Sequence, residues 1–414
     1  MKVRSIDMPL FLAVFWLVIF WMIMISSVSV YPSYKITSIM VQNGRLDEAS
    51  NSYYLIKNIG HVFIGLFLAV AFSKIPFQFF EKYANVFYFI AMNLMFVVLF
   101  VWDTYNGARW WLNIPWLPSL QPVEFAKIAL IIFLAHFLKK NSYHMNELWR
   151  GFFYYFWWVS ILMFLLMFQP DFWSILIITP VILALFFIGW WNVRYMSSAI
   201  ALLFVLAFWV YSVWKAGESK CTVNPNTQVQ VCKNSVTYIS RRIDNFLTNS
   251  KDAITKKTIA FQTEQWLIAI WSGGFGWLWF WKSIQKFWYL PEAQGDFIFS
   301  VVAEELWFIG VFTLFSIYLF ILSRGLSIAR RVKDPFWKYL AFWISILIIM
   351  QAFINIWVNM NVVPLTWITL PFVSYGWSSL VSLLIGVGIL LNISRSTEYT
   401  QKLEKSPWMR RKVS

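Results

Sequence analysis

The sequence predicts an all-α polytopic membrane protein with about ten transmembrane helices and one large extracellular loop between the seventh and eighth. Three observations predict it. First, 60% of the 414 residues are hydrophobic and only 13% are charged, more apolar surface than a soluble domain of this size hides. Second, the mean hydropathy is +0.62. Third, apolar runs recur near 9–30, 54–72, 84–101, 122–138, 152–168, 172–190, 195–214, 297–322, 337–360 and 369–393. Each is long enough, or nearly so, to cross about 30 Å of hydrocarbon at 1.5 Å per residue. Lipid leaves no backbone group unpaired, so these runs are expected as helices.

The elements follow in chain order. The first run, Pro9 to Val30, is too long for a signal-peptide core and lacks a small-residue cleavage pattern, so it reads as a retained span. The fifth and sixth runs are separated by Gln169, Pro170 and Asp171 alone, which predicts a tight helical hairpin with Asp171 capping the sixth helix. Segment 102–121 carries Pro115, Pro118 and Asn106-Gly107 and reads as an ordered external loop. Residues 215–296 form the large loop. Its first part is polar, and the segments RRIDNFL and QTEQWLIAI read as amphipathic helices on or dipping into the outer surface. The whole of 1–414 reads as a single integral membrane domain, with 395–414 as a basic tail.

Orientation follows from Lys and Arg in the short connections. Lys74 and Lys82, then Lys139, Lys140 and Arg150, then Arg324, Arg330, Arg331, Lys333 and Lys338 mark one side; Lys35, Arg45 and Arg109 are sparse on the other. Both termini are therefore expected in the cytoplasm. The net charge of +15 does not point to nucleic acid, because the basic residues lie between apolar runs rather than on one continuous face. His61, His136 and His144 lack metal-ligand spacing. Cys221 and Cys232 share the polar loop and either form a disulfide, if that loop faces an oxidising compartment, or remain thiols without consequence.

The stretch from Trp266 to Gly310 gathers Gly273, Gly274 and Gly276, the basic pair Lys282 and Lys286, and the acids Glu292 and Asp296 immediately before an apolar run. A carboxylate at the mouth of a span costs desolvation energy that function usually explains, although acids at a helix start also favour its dipole. Cations beside it suit an anionic, lipid-linked substrate, since Lys and Arg bind diphosphate through charge-assisted hydrogen bonds. A lone carboxylate can serve as general base toward a sugar hydroxyl. Glu124 and Lys127 are three apart on one helix face and are expected to pair inside the membrane, either lining a cavity or ordering the packing. Arg109 is a candidate phosphate contact or a loop-structuring residue. Arg241 and Arg242 read as a basic pair meeting anionic headgroups.

NGAR at 106–109, QPVEFAK at 121–127, QPDF at 169–172, YLPEAQGDFIFSVVAEEL at 289–306 and PLTWITLPFVSYGWSSL at 364–380 occur in an order and spacing that resemble the FtsW/RodA (SEDS) family of peptidoglycan glycosyltransferases. The segment SIQKFWYLPEA at 283–293 looks more like the division branch, FtsW, than the elongation branch, RodA. The resemblance implies polymerisation of lipid II: the acceptor's GlcNAc 4-hydroxyl attacks C1 of the donor's MurNAc and undecaprenyl diphosphate leaves. The family's essential Asp maps onto Asp296, as base or as ligand to a divalent cation, Mg or Mn, with Glu292 as a supporting carboxylate. Glu124 and Lys127 map onto residues lining a central cavity, and Ser374, Tyr375 and Ser378 are expected beside it. The implied partners are a class B penicillin-binding protein and other divisome proteins, and the implied location is the bacterial plasma membrane. A lipid II flippase and an elongation-type role are the alternatives. A transporter should show internal repeats and ionisable groups along a midplane path, whereas the acids here cluster on the outer side.

The chain departs from this pattern in one direction. Trp stands where the family has Gly at Trp110, Trp173, Trp266, Trp271, Trp277, Trp279, Trp281, Trp288, Trp307, Trp357, Trp367 and Trp377, and Trp16, Trp21 and Trp116 fit the same pattern. With 27 Trp against 16 Gly the usual abundance is inverted, although polytopic helices rely on small residues to pack. A gene whose UGA codons mean glycine would produce this bias, and strained or displaced rings are then expected around 271–288 and at Trp377. Trp111, outside the pattern, is expected to be a true tryptophan.

Overall fold

The structure, a computed structural model, describes residues 6–101, 111–112, 119–144, 147–169, 171–190, 197, 222–223, 230–231, 259–272, 283, 294–364, 366 and 368–405. The described residues form helices α1 (Met8–Val28), α2 (Val30–Gln42), α3 (Tyr53–Lys74), α4 (Phe77–Lys82), α5 (Ala84–Val101), α6 (Pro122–Lys140), α7 (Tyr154–Phe168), α8 (Phe172–Trp190), α9 (Ile259–Ser272), α10 (Ile298–Arg331), α11 (Pro335–Asn359) and α12 (Trp377–Lys405). A single π-helical turn, Leu148–Phe153, leads into α7. The strands β1 (Thr222–Val223) and β2 (Gln230–Val231) pair antiparallel, with Thr222 opposite Val231. Cys221 and Cys232, which flank this ladder, lie outside the described residues.

Six of these stretches are long and apolar enough to cross a membrane: Met8–Val28, Tyr53–Lys74, Trp149–Phe168, Ile298–Arg331, Pro335–Asn359 and Trp377–Ser396. The polytopic membrane class therefore holds. α5 and α8 have shorter apolar stretches, Ala84–Phe100 and Trp173–Ala184. The run expected near 195–214 and most of the loop 215–296 lie outside the described residues.

α11 and α12 form the centre. Of their apolar stretches 72% and 94% is buried, against 17% for α10. α11 packs on α6, α8, α10 and α12, while α12 lies along α3. In a membrane, close approach needs small residues. A Cβ added at Gly388 of α12 would collide with the Ala69 carbonyl oxygen of α3, and one at Gly325 of α10 with Ser345 Oγ of α11. Gly388→Val is accordingly expected to destabilise by roughly 1–3 kcal/mol, as overpacking does. The measurement is thermal unfolding in detergent, and an unchanged midpoint would show that α3 yields freely.

One end of the bundle is tied by ion pairs. Asp7 caps α1 by accepting from the Leu10 amide at 3.1 Å and receives Arg324 of α10 in two hydrogen bonds, at 3.2 and 2.6 Å. Its own amide donates to Ser394 Oγ of α12 at 3.1 Å. Lys139 of α6 bridges Glu81 of α4 at 2.7 Å and Asp334, the N-cap of α11, at 2.8 Å.

One expectation needs correction. The last helix begins at Trp377, not near 369, because residues around Pro371 are drawn into a turn: the Leu370 amide donates to Ser374 Oγ at 2.7 Å and the Ser374 amide to the Leu370 carbonyl at 2.9 Å. α12 continues to Lys405, into the basic segment that begins at 395. α9 packs on α10, where Trp266, 1% exposed, stacks on Phe297 at 4.4 Å.

Candidate functional site: a buried ion pair joined to Asp296 by a stripe of amides

The end opposite the ion-paired collar carries the polar interior. Pro122 starts α6, and Glu124 falls in its first turn, where the helix dipole favours an acid. One turn on, Lys127 Nζ lies 2.9 Å from Glu124 Oε1, and the two side chains are 2% and 9% exposed. The pair expected from the three-residue spacing therefore forms, and packing against α11, α8 and α12 buries it. Lys127 also reaches Gln351 Oε1 of α11 at 3.4 Å. Gln351 Nε2 in turn donates to the Thr369 carbonyl and hydroxyl, both at 3.2 Å, and to Ser379 Oγ at 3.1 Å. Glu124 Oε2 has no hydrogen-bond partner among the described residues. Its side chain lines a cavity of about 30 Å³ with Gln121, Asp171, Trp173, Gln351 and Thr369. That volume suits a water or two, not a sugar.

Asp171 occupies the turn between α7 and α8 as expected. It caps α8, accepting from the Ser174 amide at 3.1 Å and the Ser174 hydroxyl at 2.7 Å. Burial pushes its carboxyl above the ordinary value, and the bonds from Ser174 pull the other way. A carboxyl raised on folding contributes stability below the unfolded-state pKa, and that contribution fades as pH rises through the folded value. Asp171→Asn should therefore flatten the dependence of the melting temperature on pH across that acidic window; an unchanged slope would exclude the coupling.

Asp296, half-buried, stands one residue before Phe297, the N-cap of α10. Gln351, Asn355 and Asn359 recur every four residues and so form one stripe of α11. Asn355 and Asn359 both donate from Nδ2 to the Asp296 carbonyl at 3.0 Å. Asn355 also donates to the Ile368 carbonyl at 2.6 Å, and Ser300 donates to Asn359 Oδ1 at 2.7 Å. The stripe thus connects the Glu124–Lys127 pair at one end with the backbone of Asp296 at the other. Asn355→Ala removes the donor to the Ile368 carbonyl, at about 1–3 kcal/mol, and leaves the Asp296 carbonyl to Asn359 alone. The expected result is a lower melting temperature together with reduced activity, measured in one preparation; full activity would mean that the anchor is redundant.

The remaining expected residues divide into two groups. Ser374, Tyr375 and Ser378 sit beside the site but bond to backbone. Ser378 Oγ accepts from the Gln121 amide at 3.0 Å, and the Tyr375 amide donates to the Gln294 carbonyl at 2.8 Å while its ring meets Tyr54 at 5.3 Å. Arg109, Lys286 and Glu292 lie outside the described residues. Sequence reasoning missed Gln351, Asn355 and Asn359, although three amides at spacing four in an otherwise apolar helix are a readable signal. It also missed the buried acids of α10: Glu304 accepts from Ser283 Oγ, and Glu305 accepts from Ser27 Oγ at 3.1 Å.

A bundle of apolar helices with a buried ion pair, an amide stripe and the half-buried Asp296 defines a polytopic membrane protein with a polar interior. Residues 9–399 match the family model FtsW/RodA/SpoVE, described as cell cycle protein, and the chain belongs to that family. A probable peptidoglycan glycosyltransferase FtsW from Coxiella burnetii is 31% identical over 353 residues, covering 84% of this chain and 87% of that protein. One of the same name from Trichlorobacter lovleyi is 31% identical over 389 residues, 93% and 94% of the two chains. The fold is shared with a chain of a peptidoglycan synthase complex that coordinates polymerization and crosslinking, at TM-score 0.73 and 22% identity over 95% of this chain and 98% of that one. It is shared also with the rod shape determining protein RodA of Thermus thermophilus, at TM-score 0.65 and 22% identity over 95% and 97%.

Proposed function

We propose that this protein is a peptidoglycan glycosyltransferase that polymerises lipid II into glycan strands during cell division, releasing undecaprenyl diphosphate. Membership of a family whose relatives carry that name supports the activity. The observation that carries the site is Asp296, whose backbone is clamped by Asn355 and Asn359 at the mouth of α10. There its carboxylate takes the proton from the acceptor's 4-hydroxyl as that oxygen attacks C1 of the donor. The diphosphate leaves with its charge compensated rather than by being protonated.

A divalent cation, Mg or Mn, fits this scheme as a second charge on the diphosphate. Among the described residues no three His, Cys, Asp or Glu side chains converge. Asp296 would then hold the ion with Glu292, substrate phosphates or water, the mixed set that Mg usually takes. Arg109 and Lys286 are assigned to the anionic part of the substrate, and the Glu124–Lys127 pair to shaping the cavity. The protein is a multi-pass membrane protein; we place it in the bacterial plasma membrane with both termini and the Asp7 and Lys139 collars cytoplasmic, and Asp296 outside. A class B penicillin-binding protein is the partner in this reading, consistent with the fold shared with a complex that couples polymerization to crosslinking.

The test is purified protein with its transpeptidase partner and labelled lipid II. Glycan polymer separated by gel is the expected product. Transbilayer movement of lipid II in vesicles without polymer would instead favour the flippase reading.

A further inference from the structure

Position 307 interrupts α10 three residues before Gly310, the nearest residue of low helix propensity. α10 contains no proline, yet Trp307 has φ 53° and ψ −158° in its interior. A Cβ makes that backbone conformation costly, and glycine adopts it freely. The other non-glycine residues with positive φ among the described residues have local reasons. Asn361 (φ 55°) follows α11, where asparagine tolerates the left-handed region, and Phe372 (φ 60°) lies in the turn closed by Ser374.

A second observation is independent of the backbone. Trp21, Trp266 and Trp343 are among the largest fully buried side chains, and the indole N–H of each has no acceptor among the described residues. Buried indoles normally find one, and an unpaired donor is costly in an interior without water. Trp173, moreover, walls the central cavity between Asp171 and Gln351. The close helix contacts at Gly325 and Gly388 show what this bundle requires where helices meet.

We propose that positions 307, 21, 173 and 266 are glycine in the protein the cell makes, specified by UGA codons that its translation machinery reads as glycine. A glycine at 307 removes the forbidden Cβ, glycines at 21 and 266 remove orphaned donors, and one at 173 opens the cavity beside Glu124. Trp377 shows no such conflict: it packs on His61 at 5.8 Å and donates to the Ser119 carbonyl at 2.6 Å. Trp271 is 80% exposed, and most of 273–288 lies outside the described residues. The strain therefore appears at 307 rather than at 377, where the sequence had placed it.

Peptide mass spectrometry of the protein purified from its own cells decides the matter. Glycine at 307 with tryptophan at 111 is the expected result, and tryptophan at 307 overturns the proposal. Independently, a recombinant W307G chain should melt at a higher temperature than its parent in the same detergent; a lower midpoint would contradict the relief of strain.

Discussion

Asp296→Asn is expected to reduce polymerisation of lipid II by roughly 10²–10⁴-fold, the contribution of a positioned acid or base to catalysis. The substitution keeps the shape of the side chain and leaves the Asp296 carbonyl in place for Asn355 and Asn359. The variant should therefore melt close to its parent while losing product. Polymer length and yield from labelled lipid II, measured beside a thermal melt, separate lost chemistry from lost structure. Undiminished polymer in a folded variant would remove Asp296 from the mechanism.

The second large effect concerns stability. Glu124→Gln removes the partner 2.9 Å from an ammonium that is 2% exposed. Among the described residues the ammonium then keeps Gln351 Oε1 at 3.4 Å and the field of the Asp171 carboxyl, and breaking such a buried pair from one side typically costs about 3–5 kcal/mol. Removing both charges, as in Glu124→Gln with Lys127→Met, should recover much of that loss, because the uncompensated charge goes with it. Thermal unfolding of the two single variants and the double variant forms the cycle. Equal melting temperatures across all four proteins would show that the pair is solvated in the native membrane state. If the pair also shapes the cavity, the double variant should regain stability without regaining full polymerisation.

Legibility differed by the kind of interaction. Six of the ten apolar runs announced helices long and apolar enough to span, because crossing hydrocarbon demands length and hydropathy, which are properties of a contiguous segment. The hairpin at 169–171 and the Glu124–Lys127 pair were legible for the same reason, as both are set by neighbours within one turn of helix. The amide stripe was only half legible. The spacing of Gln351, Asn355 and Asn359 is visible in the chain, but their acceptors on Asp296, Ile368 and Thr369 lie at separations from 13 to 63 residues. The start of α12 was misplaced because apolar character runs through Leu370 to Val373, and a single serine hydroxyl decides that this stretch turns instead.

Taken by itself, the chain determined that this is a polytopic membrane protein and that Glu124 and Lys127 share one face of a helix. These are consequences of hydropathy, charge and local spacing. Tertiary structure alone decided that one helix, α11, touches both the ion pair and the backbone of Asp296, and that α9 folds against α10. It also decided that position 307 takes a conformation unfit for its side chain. Each depends on which helices become neighbours, and that is settled by the close approach of whole surfaces rather than by any one segment.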